Sequence, residues 1–163
     1  MPLLQKSMER LLEKLRKIDK VHLITFGNAV QVLYSTSSLS NPDSLNRILK
    51  SVRSIASATN INGGLQNAYE ISLSHFNAKA NNEILIVTDG EFVFNRYTIE
   101  LVQSHPEIKL TAVVVGEKKK VSTAASYIQT VLKLPVIALI TDDSDLESLA
   151  NHIEKNAAIQ ITN

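Results

Sequence analysis

Asp89 stands at the end of an apolar run, Ile84-Leu85-Ile86-Val87-Thr88, and is followed by Gly90. A strand with that composition is built to be buried, and a carboxylate at its C-terminal end points into the crevice where parallel sheets bind ligands. Read locally, the same Asp-Gly pair is also a strong turn signal, so capping and ligation stand level. A second polar loop lies upstream, Ser57-Ala58-Thr59-Asn60-Ile61-Asn62-Gly63-Gly64, just ahead of a helical pattern. Thr59 is by itself an ordinary N-cap candidate. Together the two loops suggest one site.

Other groups give weaker signals. Glu91 is the only carboxylate close enough to act beside Asp89. Asp19 falls between a helix and a strand at the opposite end of the sheet, and Asp43 follows Asn41-Pro42 at a helix start. Asp142, Asp143 and Asp145 follow a strand and open a helix, where acidic side chains complement the dipole. His22, His75, His105 and His152 lack metal-ligand spacing and read as structural or solvent-facing. There is no Gly-x-Gly-x-x-Gly, no phosphate loop and no nucleophile elbow. Phe92-Val93-Phe94 either contacts a partner beside the crevice or tucks under the next helix.

Composition bounds the rest. The chain has 163 residues, 44% apolar and 5% aromatic, which suits one globular domain over 1–163. Seventeen basic and sixteen acidic residues give a net charge of +1, too small a field to recruit nucleic acid or an anionic membrane. Lys118-Lys119-Lys120 is the only basic run and reads as a solvated loop past a strand. No cysteine is present, so thiol redox chemistry and thiolate zinc sites are excluded. Neither a secretory signal nor the roughly 20 apolar residues of a membrane span occurs, so the expectation is no membrane insertion and a cytoplasmic location by default.

The positioning elements follow from periodicity. Leu4, Met8, Leu11, Leu12, Leu15 and Ile18 give an amphipathic helix over about 3–18. Val21 to Phe26 and Val30 to Tyr34 read as a hairpin around Gly27-Asn28. Leu45, Ile48, Leu49, Val52 and Ile55 mark a helix ending near Ser57, and another begins after Gly63-Gly64 and closes in Asn77 to Asn82. Then come strand 83–88, helix 96–104, strand 109–115, helix 122–133, strand 135–140 and helix 145–156. That alternation predicts an α/β fold, three-layered and Rossmann-like: a mainly parallel sheet, one antiparallel edge strand, and helices on both faces.

In this order, hairpin, helix, Thr59-Asn60-Ile61-Asn62-Gly63-Gly64-Leu65, helix, then Ile84-Leu85-Ile86-Val87-Thr88-Asp89-Gly90, the sequence resembles the von Willebrand factor type A domain. The resemblance covers nearly the whole chain, and Asp19 to Phe26 resembles that family's second strand and its lead-in. It implies a metal-ion-dependent adhesion site at the top of the sheet, usually holding magnesium. The family's ligands are an Asp-x-Ser-x-Ser motif after the first strand, a threonine in a later loop and an aspartate after the fourth strand. Thr59 fits the threonine position and Asp89 the aspartate position.

The departure is that no Asp-x-Ser-x-Ser occurs near the N-terminus and no strand precedes the first helix. The expectation is therefore an N-terminally truncated domain with an incomplete site. Its family-type second and fourth strands would close up or borrow a strand from a neighbour, giving a strand-exchanged homo-oligomer. The function expected is a non-enzymatic protein-binding module with an unidentified protein partner and weak or absent magnesium. The alternatives are a metal-assisted hydrolase or phosphotransfer enzyme using Asp89 and Glu91, and a metal-free scaffold.

Overall fold

Strands form where β-branched and long apolar residues run together. A computed structural model describes residues 19–35, 43–44, 47–48, 59–88, 92–134 and 136–140. Strand β1 (His22–Phe26) and strand β2 (Val30–Ser35) make an antiparallel hairpin in which Phe26 faces Val30 and His22 faces Ser35. Strands β3 (Glu83–Thr88), β4 (Lys109–Val115) and β5 (Val136–Ile140) form a parallel sheet in the order β3-β4-β5. Helix α1 (Ile61–Ser74) precedes β3, helix α2 (Arg96–Ser104) links β3 to β4, and helix α3 (Lys118–Leu132) links β4 to β5. The expected helices over 3–18 and 145–156, and most of the one ending near Ser57, lie outside the described residues, as do Asp89, Glu91, Asp142, Asp143, Asp145 and His152.

One face of the sheet carries the core. Ile84 and Ile86 on β3 align with Leu110 and Ala112 on β4, and Val114 continues the row. Ile61, Leu65 and Tyr69 from α1, Val102 from α2, and Val121, Ala124, Ile128 and Leu132 from α3 close over it. On the opposite face Thr111 and Val113 are also fully buried, so β4 is covered on both sides as a middle strand of a doubly wound sheet should be. Thr111 donates to Glu83 at 2.5 Å, and the Lys109 ammonium stands 3.6 Å from the same carboxylate oxygen.

Two details differ from the sequence reading. Helix α1 starts at Ile61, so Gly63 and Gly64 belong to its first turn and do not punctuate it. The N-cap is Asn60, whose side-chain oxygen accepts from the Gly63 N–H at 3.0 Å. Likewise Lys118, Lys119 and Lys120 form the exposed first turn of α3, not a loop.

At the base of the sheet, His22 and His75 meet with ring centroids 4.7 Å apart. His22 Nδ1 is 2.8 Å from Ser35 Oγ, while its Nε2 is buried without a hydrogen-bond partner. His75 Nδ1 is 3.0 Å from the Ile71 carbonyl and 2.9 Å from Ser74 Oγ. Burial, then His75, then Lys20, hold the His22 pKa below its ordinary 6.5. The unfolded chain therefore takes up this proton first on acidification. The His22 contribution to stability is present above pH 6.5 and is lost as pH falls toward the depressed folded value. Chemical denaturation across pH 7 to 4 is expected to show this loss, and His22→Gln is expected to flatten it.

Candidate functional site at the crest of the sheet

Strands β1 and β3 both end where α1 begins. Asn60 donates its N–H to the Gly27 carbonyl at 3.1 Å, just past β1, and Gly64 packs against Phe26, the last residue of β1. Two positions after Asn60, Asn62 reaches the loop after β3: its amide donates to the Val93 carbonyl at 2.9 Å and its oxygen accepts from the Asn95 N–H at 2.9 Å. Asn95 in turn caps α2, accepting from the Thr98 N–H at 2.8 Å. A chain of asparagines thus ties the starts of α1 and α2 to each other and to the C-terminal end of β1. This end is the crest.

The segment 92–95 divides its side chains between core and solvent. Phe94 is buried, stacks on Tyr127 with centroids 5.7 Å apart and planes 6° from parallel, and donates its N–H to the Tyr127 hydroxyl at 2.9 Å. Phe92 leans on both rings, 5.0 Å from Phe94 and 6.0 Å from Tyr127. Val93 between them is 74% exposed, and Tyr97 on the first turn of α2 is 61% exposed. The phenylalanines tuck in, as one of the two sequence readings of Phe92-Val93-Phe94 has it, and the valine faces out. Arg96 beside them pairs with Glu100 at 2.7 Å, an exposed i,i+4 bridge of small energetic weight.

Thr59, half-buried, lies immediately before the α1 cap at this same end. Asp89 follows directly on Thr88, the last residue of β3, but lies outside the described residues, as does Glu91. The structure therefore places one predicted ligand at the crest. Val93 was singled out from the sequence as part of Phe92-Val93-Phe94, whereas Asn60, Asn62, Asn95 and Tyr97 were not singled out as functional residues. The signal for the asparagines was the density of amides around 60–62, while nothing local marks Tyr97.

Among the described residues, most side-chain oxygens around Thr59 are already engaged. The Asn60 side chain is committed to its cap and both ends of the Asn62 amide are engaged, which leaves the Thr59 hydroxyl. Among the described residues, no group of three or more His, Asp or Glu side chains could hold a metal ion.

Comparisons with known proteins agree with the architecture. The chain is 30% identical over 92 residues to the uncharacterized protein YfbK of Escherichia coli, a match over 56% of this chain that spans only 16% of YfbK. The fold is similar to that of the hypothetical protein BatB from Bacteroides thetaiotaomicron, at a TM-score of 0.72 and 18% identity, covering 95% of this chain and 87% of that one. It is also similar to proximal thread matrix protein 1 from the mussel byssus, whose structure has a zinc-occupied MIDAS motif, at a TM-score of 0.69 and 13% identity over 94% of this chain and 41% of that one. At those identities the likeness shows the fold, an α/β domain of the Rossmann-like kind. The sequence pattern of the von Willebrand factor type A domain matches residues 2–91, more than half of the chain, and the chain belongs to that family.

Proposed function

We propose that the chain is a non-enzymatic protein-binding module that engages its partner at the crest, through Val93 and Tyr97 beside Thr59 and Asp89. The carrying observation is that α1, α2 and the loop after β3 are locked together by Asn62 and Asn95 while an aliphatic and an aromatic side chain are left facing solvent. A rigid base under exposed apolar side chains is the arrangement that yields binding energy at low ordering cost. A hydrolytic reading has less support. Among the described residues the Tyr69 phenol is a buried titratable group, and it lies in the core with its pKa pushed up to about 12 by burial and then by Glu107, which suits no proton transfer near neutrality.

Loss of those apolar contacts is the test. Against the purified partner, Val93→Asp and Tyr97→Asp are each expected to weaken binding about tenfold or more, and Lys79→Glu at the opposite end to leave it unchanged. Equal effects at both ends would retire the reading.

Thr59 and Asp89 are the proposed cation-facing pair. Two protein oxygens leave most of a magnesium shell to water, so affinity is expected to be millimolar or weaker by order of magnitude. Calorimetry with magnesium checks this, and a micromolar constant would overturn it. Among the described residues, no helix is long and apolar enough to cross a membrane.

A further inference from the structure

One dipeptide at the crest carries a covalent chemistry that partner binding does not use. Asn62-Gly63 is the only Asn-Gly pair in the chain. Asparagine before glycine is the pair most prone to deamidation, because glycine has no side chain to shield its amide nitrogen and leaves the backbone free to bring it round. In that reaction the Gly63 nitrogen bonds to Asn62 Cγ, the Cγ–Nδ2 bond breaks, and ammonia leaves with the proton that the Gly63 nitrogen gave up. Water then opens the five-membered imide at either carbonyl, leaving aspartate or isoaspartate.

The fold holds both reacting groups. Asn62 and Gly63 lie in the first turn of α1, where a helical backbone with ψ near about −42° turns the Gly63 nitrogen away from the Asn62 side chain. The Gly63 N–H is donated to Asn60 Oδ1 at 3.0 Å, so the attacking nitrogen is engaged. Asn62 donates to the Val93 carbonyl and accepts from the Asn95 N–H, each at 2.9 Å, so its Cγ is pinned away from that nitrogen. These restraints sit at a helix end, where local opening costs less than global unfolding. Asn60 is exposed and Asn62 and Gly63 are half-buried, so water reaches the pair once the turn opens.

We propose that Asn62 is a concealed modification site: the closed crest protects it, and each opening of the first turn of α1 exposes it to irreversible conversion to aspartate or isoaspartate. Conversion unfastens the crest. An ionised carboxylate at position 62 only accepts hydrogen bonds, so the Val93 carbonyl loses its donor and faces a negative charge. Isoaspartate also adds a methylene to the main chain inside the first turn, which displaces the Gly63 N–H from Asn60. The reaction needs neither partner nor metal, and it stands or falls apart from binding at the crest.

Mass spectrometry of the unaltered chain, incubated at mildly alkaline pH, tests it by following aspartate and isoaspartate at position 62, with a synthetic peptide of residues 57–67 as the unfolded reference. Expected is conversion at least about tenfold slower in the folded chain than in the peptide. Asn60→Ala is expected to speed it about fivefold by freeing the Gly63 N–H, and Asn60→Asp, which keeps that acceptor, to restore protection. Ile108→Val, a loss of similar size in the core at the base of the sheet, is expected to leave the rate unchanged. In the converted chain, amide exchange in 92–95 is expected to be faster. A folded chain that converts as fast as the peptide overturns the proposal. So does equal acceleration by Asn60→Ala and Ile108→Val, which would make global unfolding the gate, or exchange in 92–95 unmoved after conversion.

Discussion

Gly64→Val is expected to cost about 3 kcal/mol of stability, the largest effect of any single substitution considered for this protein. A β-carbon at Gly64 would stand 2.8 Å from both Cβ and Cγ of Phe26, and 2.9 Å from its Cδ1. Those are the inner atoms of the ring side chain, which a rotamer change does not clear, so β1 itself must move. Helix propensity acts the other way: alanine in a helix is worth about 1 kcal/mol over glycine. Overpacking of about 1–3 kcal/mol outweighs it, so Gly64→Ala is expected to be milder but still destabilising. Denaturant unfolding of the two variants checks the order. Unchanged stability in both would mean that β1 and α1 do not approach as described.

Asn62→Ala is expected to cost about 2 kcal/mol, about 1 kcal/mol for each of its two hydrogen bonds. Its effect should be local as well as global. With the Val93 carbonyl and the Asn95 N–H released, amide exchange in 92–95 should accelerate, and the proposed binding at the crest should weaken as the base under Val93 loosens. Asn62→Asp keeps the acceptor for Asn95 and loses the donor to Val93, so an intermediate loss is expected. If Asn62→Ala left exchange in 92–95 unchanged, the asparagine chain would not be what holds the crest together.

These two residues mark where the sequence was and was not legible. The β3, α2 and β4 ranges follow from apolar runs and helical spacing alone, because burial on a sheet face imposes those patterns locally. The start of α1 did not follow. Gly63-Gly64 reads as a break, yet Gly64 is in the helix because Phe26, 38 positions earlier in the sequence, needs the space. Phe94 and Tyr127 lie 33 residues apart, so their stacking, and the outward turn it leaves to Val93, is equally invisible in a local window. Lys118 to Lys120 were misread because three lysines at a helix N-terminus oppose the dipole, and with no side-chain cap on Glu117 nothing local announces the helix.

Among the described residues β1 and β3 have not closed up into a pair. Helix α1 packs on both strands, with Leu65 and Tyr69 each almost wholly buried.

The central claim is that the partner binds at the crest. Photo-crosslinking in the native host tests it most directly, with a reactive side chain placed in turn at Val93 and Tyr97 on the crest and at Lys20 and Lys79 at the base. The account predicts one defined protein adduct from positions 93 and 97, lost on Asp89→Asn or Thr59→Val, and none from 20 and 79. Adducts from the base alone, or equally from all four positions, would contradict it.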